Sequence, residues 1–163
     1  MFKKTIVLFI LLIFLNGCSS NKVKDISVSL NTKESDFYTY LGYLVIPKIN
    51  MKLGFYDYES KLNDVNKNIE LINTGISNTY LIAAHSGTGT LAYFNDLRYL
   101  EINDEIYLKF KNKTNKYKIK NISRKIKDGK IKISKEENQI ILVTCDQIVK
   151  GYNLIIEGKL IKN

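Results

Sequence analysis

Six runs of β-branched, aromatic and aliphatic residues constrain the fold of this chain more than any other feature. Several runs alternate apolar and polar residues, which is the two-residue period of a strand with one solvent-exposed face. The runs cover residues 41–46, 79–84, 105–111, 116–126, 139–144 and 152–161. The stretch 140–143 is apolar throughout, so we expect a central strand that is buried on both faces. The pattern predicts a mostly β domain, in the form of a closed barrel with one or two short helices on its connections.

The remaining segments fit around one such domain. A chain of 163 residues is long enough to bury one core without disulfide bonds. Residues 60–71 and 92–100 have helical patterns and would form the helices on the connections. Residues 18–36 are mostly polar and lack a sustained period, so we expect a tether there, followed by a domain over residues 37–163.

The first residues have the pattern of an export signal. Lys3 and Lys4 precede an unbroken apolar run over residues 6–15, which is shorter than the roughly 20 residues that a membrane-spanning helix needs. The Leu-Asn-Gly-Cys that follows, residues 15–18, resembles the lipobox of bacterial lipoproteins. The resemblance implies that residues 1–17 are a signal peptide and that a lipid on Cys18 anchors the protein at the extracytoplasmic face of a bacterial cell membrane. A plain secretory signal or an uncleaved N-terminal anchor is the alternative.

The single histidine and the last cysteine each follow an apolar strand. His85 ends TYLIAAH and precedes a Gly/Ser/Thr turn, and Cys145 ends QIILVTC. A strand end is rigid on one side and open to solvent on the other, which suits a nucleophile and its proton partner. Taken alone, the same two residues also fit a buried, inert cysteine and a surface histidine.

Three blocks around these strands resemble the signature motifs of sortases. LGYLVIPKIN at 41–50 resembles the strand that opens the sortase core, AAHSGTGTLAYFNDLRYL at 83–100 contains His85, and ILVTCDQIVKGYNLIIEGKL at 141–160 contains Cys145. The blocks follow the order of the family and cover nearly the whole domain. The resemblance implies an eight-stranded sortase-type barrel with cysteine transpeptidase or peptidase activity.

The resemblance also implies a reaction and its participants. Cys145 would attack a sorting motif, commonly of the Leu-Pro-x-Thr-Gly type, and form a thioester that an amine or water resolves, with His85 as proton donor and acceptor. The partners would be exported proteins or peptides with a sorting motif, and an amine acceptor such as a cell-wall precursor or a protein lysine. We expect four residues to line the substrate groove: Ser86, Tyr93, Phe94 and Thr144. We expect neither a cofactor nor a metal.

One position departs from the family. Sortases have an arginine eight or nine residues after the cysteine, where this chain has Asn153. Proton transfer from an ordinary thiol to an ordinary imidazole is unfavourable, so a positively charged group near Cys145 is needed. Arg98 and Arg124 are the only arginines, and we expect both to face solvent, whereas Lys150 lies in the connection after Cys145. Asn153 is therefore the candidate for the arginine's role as a hydrogen-bond donor.

Two other functions remain open at this point. A degenerate sortase could bind a sorting peptide in its groove with little or no turnover. The formal net charge of +9 could instead indicate a surface for anionic polymers or nucleic acid. Since the lysines are spread along the domain rather than clustered, we do not expect nucleic acid as a partner.

Overall fold

Eight strands and two short 3₁₀ helices make up the regular structure of residues 39–161, the part of the chain that the computed structural model describes. The strands are β1 (Gly42–Ile46), β2 (Met51–Phe55), β3 (Glu70–Ile72), β4 (Tyr80–Ala83), β5 (Glu105–Phe110), β6 (Thr114–Ile126), β7 (Gln139–Cys145) and β8 (Tyr152–Leu160). They form one sheet in the order β2-β1-β5-β6-β8-β7-β4-β3. Neighbouring strands are antiparallel, except that β4 and β7 are parallel. Within residues 39–161, no helix has the length and apolar character that crossing a membrane requires.

The sheet curls until its two edge strands nearly meet. A parallel bridge joins Phe55, at the end of β2, to Ile69, just before β3. Both side chains are fully buried, so the junction is sealed by the core as well as by the backbone. The prediction of a mostly β, eight-stranded barrel is confirmed, with the difference that the barrel is nearly closed.

The sequence pattern located six of the eight strands. Each predicted run corresponds to one strand, with ends that agree within two residues. The pattern did not predict β2, which is interrupted by Gly54, or β3, which has only three residues. Both strands are too short or too irregular to show a two-residue period.

The prediction of a helix over residues 60–71 is wrong. Turns occupy this segment up to Asn68, and β3 begins at Glu70. The reason is that polar side chains bind the backbone groups that a helix would pair. Asn63 accepts from the Leu71 amide at 2.7 Å and donates to the Leu71 carbonyl at 2.8 Å. The other predicted helix, over residues 92–100, is present as a 3₁₀ helix over Asn95–Tyr99.

β7 is buried on both faces, as the apolar stretch 140–143 predicts. Ile140 and Leu142 face the barrel interior, where they join the main core. Ile141 and Val143 face outward and belong to a second apolar cluster that also includes Ile155. This second cluster is covered by three partly buried side chains: Ile72, Ile131 and Ile133. The outer face of the barrel is therefore dry along most of β7, up to the position of Cys145.

Candidate active site

Cys145 and His85 leave the sheet from two neighbouring parallel strands. β4 and β7 are in register at Ala83 and Val143, and the Ala84 amide continues this ladder by donating to the Val143 carbonyl at 3.3 Å. Adjacent strands lie about 4.8 Å apart, and side chains two positions further along a strand lie on the same face. His85 and Cys145 are two positions after Ala83 and Val143, so the backbone brings the imidazole and the thiol to one edge of the barrel.

Two hydroxyl groups tie these strand ends together. The Thr144 Oγ1 atom donates to the Ala84 carbonyl at 2.8 Å, and the Ser86 Oγ atom donates to the Cys145 carbonyl at 2.5 Å. Both bonds join β7 to the residues that follow β4. They hold the backbone around the thiol in place, because each satisfies a carbonyl that lies beyond the regular ladder.

Asn153 lies beside the thiol on the other neighbouring strand. β7 and β8 pair Cys145 with Asn153, and β8 and β6 pair Asn153 with Lys125. Directly opposed residues of antiparallel strands share a face. A row across four strands, in the order β6-β8-β7-β4, therefore contains Lys125, Asn153, Cys145 and His85. Within this row Cys145 is half-buried and His85 is exposed.

A lysine that the sequence reasoning did not single out contacts the thiol. The Lys127 Nζ atom lies 3.4 Å from the Cys145 Sγ atom. Lys127 follows β6, and its amide donates to the Gly151 carbonyl at 2.9 Å, which extends the β6–β8 pairing beyond the end of the strand. No local sequence signal identifies this contact, because it depends on the pairing of β6 with β8 and of β8 with β7.

A second residue missed by the sequence reasoning contacts the imidazole. The His85 Nε2 atom lies 3.3 Å from the Asn66 Oδ1 atom. The Asn66 Nδ2 atom donates to the Asp64 carboxylate at 3.1 Å, and the Asn66 amide donates to the same carboxylate at 2.9 Å. The hydrogen bond from the backbone amide of Asn66 is the main cause that lowers the pKa of Asp64. The side chains of Asp64, Asn66 and His85 are thus connected in a row by polar contacts. The sequence did not indicate these contacts, because a helix was predicted for the segment that contains Asp64 and Asn66.

The residue after the thiol, Asp146, organises the connection to β8. Its side chain is 2% exposed and accepts hydrogen bonds from the amides of Ile148 at 2.7 Å and Val149 at 3.2 Å, and from the Arg124 guanidinium. Burial alone would raise the pKa of Asp146, but the three donors outweigh it and the pKa is lowered. Arg124 is 43% exposed, as expected from the sequence, and it is also the ion-pair partner of this buried carboxylate.

The match of the whole domain to a known family settles its identity. The model of the sortase domain matches residues 44–161, which is more than half of the chain. The chain belongs to the sortase family. A search of curated proteins finds no match to it.

Solved sortase structures share the fold. The sortase C1 from Streptococcus agalactiae is 25% identical, with a TM-score of 0.63, over 76% of this chain and 68% of its own. The sortase C of Streptococcus pneumoniae is 25% identical, with a TM-score of 0.62, over 76% of this chain and 70% of its own. The sortase C from Clostridium perfringens SM101 is 26% identical, with a TM-score of 0.59, over 77% of this chain and 71% of its own.

Two clefts of this sortase are lined by residues of the row that contains Cys145. One has a volume of about 460 Å³, and its lining includes Lys125, Tyr152 and Asn153. The other has a volume of about 300 Å³, and its lining includes His85 and Ser86. The larger cleft is basic, and the smaller cleft contains the imidazole.

The four residues expected in the substrate groove have different positions. Ser86 lines the smaller cleft, and Tyr93 is partly buried against the core. Phe94 and Thr144 are 1% and 5% exposed, so their side chains do not form an open wall. Both residues support the strand ends, Thr144 through its hydroxyl group and Phe94 through its backbone amide, which donates to the His85 carbonyl at 3.0 Å. The substrate groove itself stays a prediction.

Two further sequence-based expectations concern ligands and the anchor. Among residues 39–161, no group of three or more His, Cys, Asp or Glu side chains is placed to hold a metal ion. Cys18, the predicted site of the lipid, lies outside the described residues, as do the signal peptide and the whole of the predicted tether.

Proposed function

We propose that this sortase is a cysteine transpeptidase or peptidase that cleaves a sorting-signal peptide through a thioester on Cys145. The observation that carries the proposal is the common edge of β4 and β7. The only histidine of the chain follows β4 at the level where Cys145 ends the neighbouring β7, so both share a face, and His85 lines a cleft. A nucleophile and a proton carrier on neighbouring strands form the minimal machinery for acyl transfer.

The reaction has two steps. His85 takes the thiol proton, and the Cys145 sulfur attacks the carbonyl carbon of the scissile peptide bond, whose π electrons move to the oxygen. When this tetrahedral oxyanion collapses, the carbon–nitrogen bond breaks, and the amine leaves with the proton held by His85. An amine or a water molecule then attacks the thioester and gives its proton to His85. The sulfur leaves as a thiolate and recovers its proton from the imidazole.

Asn153 is proposed to donate a hydrogen bond beside the reacting sulfur. It is directly opposite Cys145 on β8, and the sequence resemblance assigns it to the arginine position of the family. An asparagine amide offers two N–H donors without a charge. Asn153→Ala should lower the acylation rate by no more than ~10²–10³, the usual cost of losing one oxyanion donor, and Asn153→Arg should raise it.

The substrates are proposed to be exported proteins or peptides with a sorting motif. The sortase C of Streptococcus pneumoniae is described in connection with pilin substrates, which supports a surface protein as the acyl donor. The acceptor is an amine of a cell-wall precursor or of a protein lysine, or water. A lipid on Cys18 would hold the domain at the extracytoplasmic membrane face, and mass spectrometry of the protein from its native membrane would detect the lipid.

The function is tested with the full-length protein, a Leu-Pro-x-Thr-Gly-type peptide and hydroxylamine as a small amine acceptor. We expect an acyl adduct on Cys145 by mass spectrometry and a peptide hydroxamate as product. Cys145→Ala should give neither, with an unchanged fold, since it removes one small side-chain group. A hydroxamate formed by Cys145→Ala would disprove the nucleophile assignment.

A peptide-binding module is the second candidate function. It is favoured by the neutral Asn153, because a site without the family's arginine has lost a charged group for the oxyanion. The same experiment separates the two functions. Saturable peptide binding by the wild type, without an adduct or a product, would identify the module.

A further inference from the structure

We propose that Lys127 supplies the positive charge of this active site and acts as a catalytic residue that stabilises the Cys145 thiolate. The inference rests on the proposed thioester chemistry and adds a group that no family motif of this sequence identifies. It starts from one contact, the 3.4 Å distance between the Lys127 Nζ atom and the Cys145 Sγ atom.

The backbone gives Lys127 a defined starting point. β6 and β8 are paired up to Ile126 and Tyr152, and the next amide, that of Lys127, donates to the Gly151 carbonyl at 2.9 Å. Gly151 has a φ of +86°, a conformation that favours glycine. In this conformation its carbonyl accepts the hydrogen bond from the Lys127 amide just before β8 begins. The side chain of Lys127 extends from this anchor across the start of β8 to the sulfur.

The other cations near the site are engaged elsewhere or make no contact with the sulfur. Arg124 is paired with the buried Asp146 carboxylate. Arg98 donates to the Gln147 side chain at 2.7 Å and to the Tyr99 hydroxyl at 2.8 Å. The side chain of Lys150 has no hydrogen bond or ion pair with any of residues 39–161.

Lys127 itself is not neutralised by a carboxylate. Within the described range 39–161 its ammonium group is in no ion pair. The neighbouring Asp128 carboxylate instead accepts from the Lys130 amide at 3.0 Å. Among residues 39–161, no carboxylate therefore competes with the sulfur for a direct contact with this ammonium group.

An ammonium group in this position favours the thiolate in both steps of the reaction. A thiolate is stabilised beside a lysine, and the thiolate is the nucleophilic form of cysteine. The charge acts before the sulfur attacks the peptide carbonyl and again when the sulfur leaves the thioester. Lys127 keeps its own proton throughout, while the transferred proton moves between Cys145 and His85. Since lysine lacks the planar fork of arginine, this arrangement provides the charge without bidentate binding.

The test measures the reactivity of the thiol without a peptide substrate. Full-length protein is alkylated with iodoacetamide at pH 7, and mass spectrometry of proteolytic fragments follows Cys145 separately from Cys18. The variants are Lys127→Met, Lys127→Arg and the control Lys120→Met. Lys120 is an exposed lysine of β6. Its neighbour Ile119 pairs with Gly158 of β8, and Gly158 pairs with Ile140 of β7. Lys120 therefore lies near the end of β7 that is opposite to Cys145.

We expect Lys127→Met to slow the alkylation of Cys145 by ~10-fold or more, and Lys127→Arg to remain within ~3-fold of the wild type. Lys120→Met should react like the wild type. Reactivity that is retained in Lys127→Arg but lost in Lys127→Met is a result that a purely structural role would not produce. Equal rates for Lys127→Met and the wild type, or equal losses in Lys127→Met and Lys120→Met, would overturn the inference.

The outcome is separable from that of the proposed function. A wild-type protein that does not cleave sorting peptides, but loses thiol reactivity in Lys127→Met, would contradict the transpeptidase and support the contact. A wild type that cleaves peptides, with unaltered alkylation in Lys127→Met, would support the transpeptidase and contradict the role of Lys127.

Discussion

The two strand ends that carry the proposed reacting groups are held in different ways. Cys145 ends a seven-residue strand that is buried on both faces, and the next residue, Asp146, is a buried carboxylate with three donors. His85 is exposed, follows a strand of four residues, and lies 3.3 Å from a side chain of the exposed Asn66. Buried residues therefore fix the position of the thiol, whereas an exposed segment fixes the orientation of the imidazole.

This difference indicates which property each residue controls. Groups that depend on burial contribute to the free energy of unfolding, because their removal leaves unpaired polar atoms in the core. Groups at the surface can position a reacting atom and contribute little to stability. Substitutions around His85 should change the rate alone, and substitutions around Asp146 should change mainly the stability.

The largest expected effect tests the surface side. His85→Ala removes the only imidazole of the chain, and proton transfer by a positioned side chain contributes ~10²–10⁴ in rate, so peptide cleavage should fall by that factor. The free energy of unfolding, measured by urea denaturation, should change by less than about 0.5 kcal/mol, because the side chain is exposed. A variant that retains the wild-type rate would contradict the role of His85.

The next prediction concerns the side chain that orients the imidazole. Asn66→Ala removes the Oδ1 atom at 3.3 Å from His85, so kcat should fall by ~10-fold while KM for the peptide stays unchanged. The free energy of unfolding should again be nearly constant. Asn112→Ala, at an exposed position between β5 and β6, is the matched control. Equal kcat values for the two variants would show that Asn66 has no part in positioning His85.

The smallest effect on rate, and the largest on stability, is expected at Asp146. Asp146→Asn removes the charge that pairs with Arg124, which should lower the free energy of unfolding by about 1–3 kcal/mol at pH 7. The exposed Asp96→Asn is the control. Cleavage should stay within ~3-fold of the wild type, since the Asp146 side chain bonds to Arg124, Ile148 and Val149 and not to the sulfur of Cys145. A cleavage rate that falls by more than ~3-fold, with an unchanged free energy of unfolding, would contradict the distinction between the two strand ends.

The pH dependence follows from the lowered pKa of Asp146. A carboxyl whose pKa is lower in the folded state stabilises the fold above its unfolded value of about 3.9. This contribution is lost as the pH falls through the folded-state pKa. The stability difference between the wild type and Asp146→Asn should therefore shrink in acid, which denaturation curves between pH 7 and pH 3 would show.

The strands and the reacting pair could be predicted because their signals are local. Six strands have an apolar or alternating pattern that reflects burial on one or both faces, and Cys145 and His85 end two of them. The segment 60–71 could not be predicted in the same way. Its apolar residues have a helical spacing, but Asn63 satisfies backbone groups of Leu71, eight residues away, and this long-range pairing replaces the helix.

The sequence by itself determined a mostly β domain with a histidine and a thiol at the ends of two of its strands. Strand periodicity depends on residues that are close in the sequence, and the order of the motifs can be read directly along the chain, so neither requires the tertiary structure. Only the tertiary structure decided that β4 and β7 are parallel neighbours, that Asn66 contacts His85 and that Lys127 contacts Cys145. These contacts join residues 18 to 60 positions apart, whose proximity arises from strand pairing and turn geometry across the whole barrel.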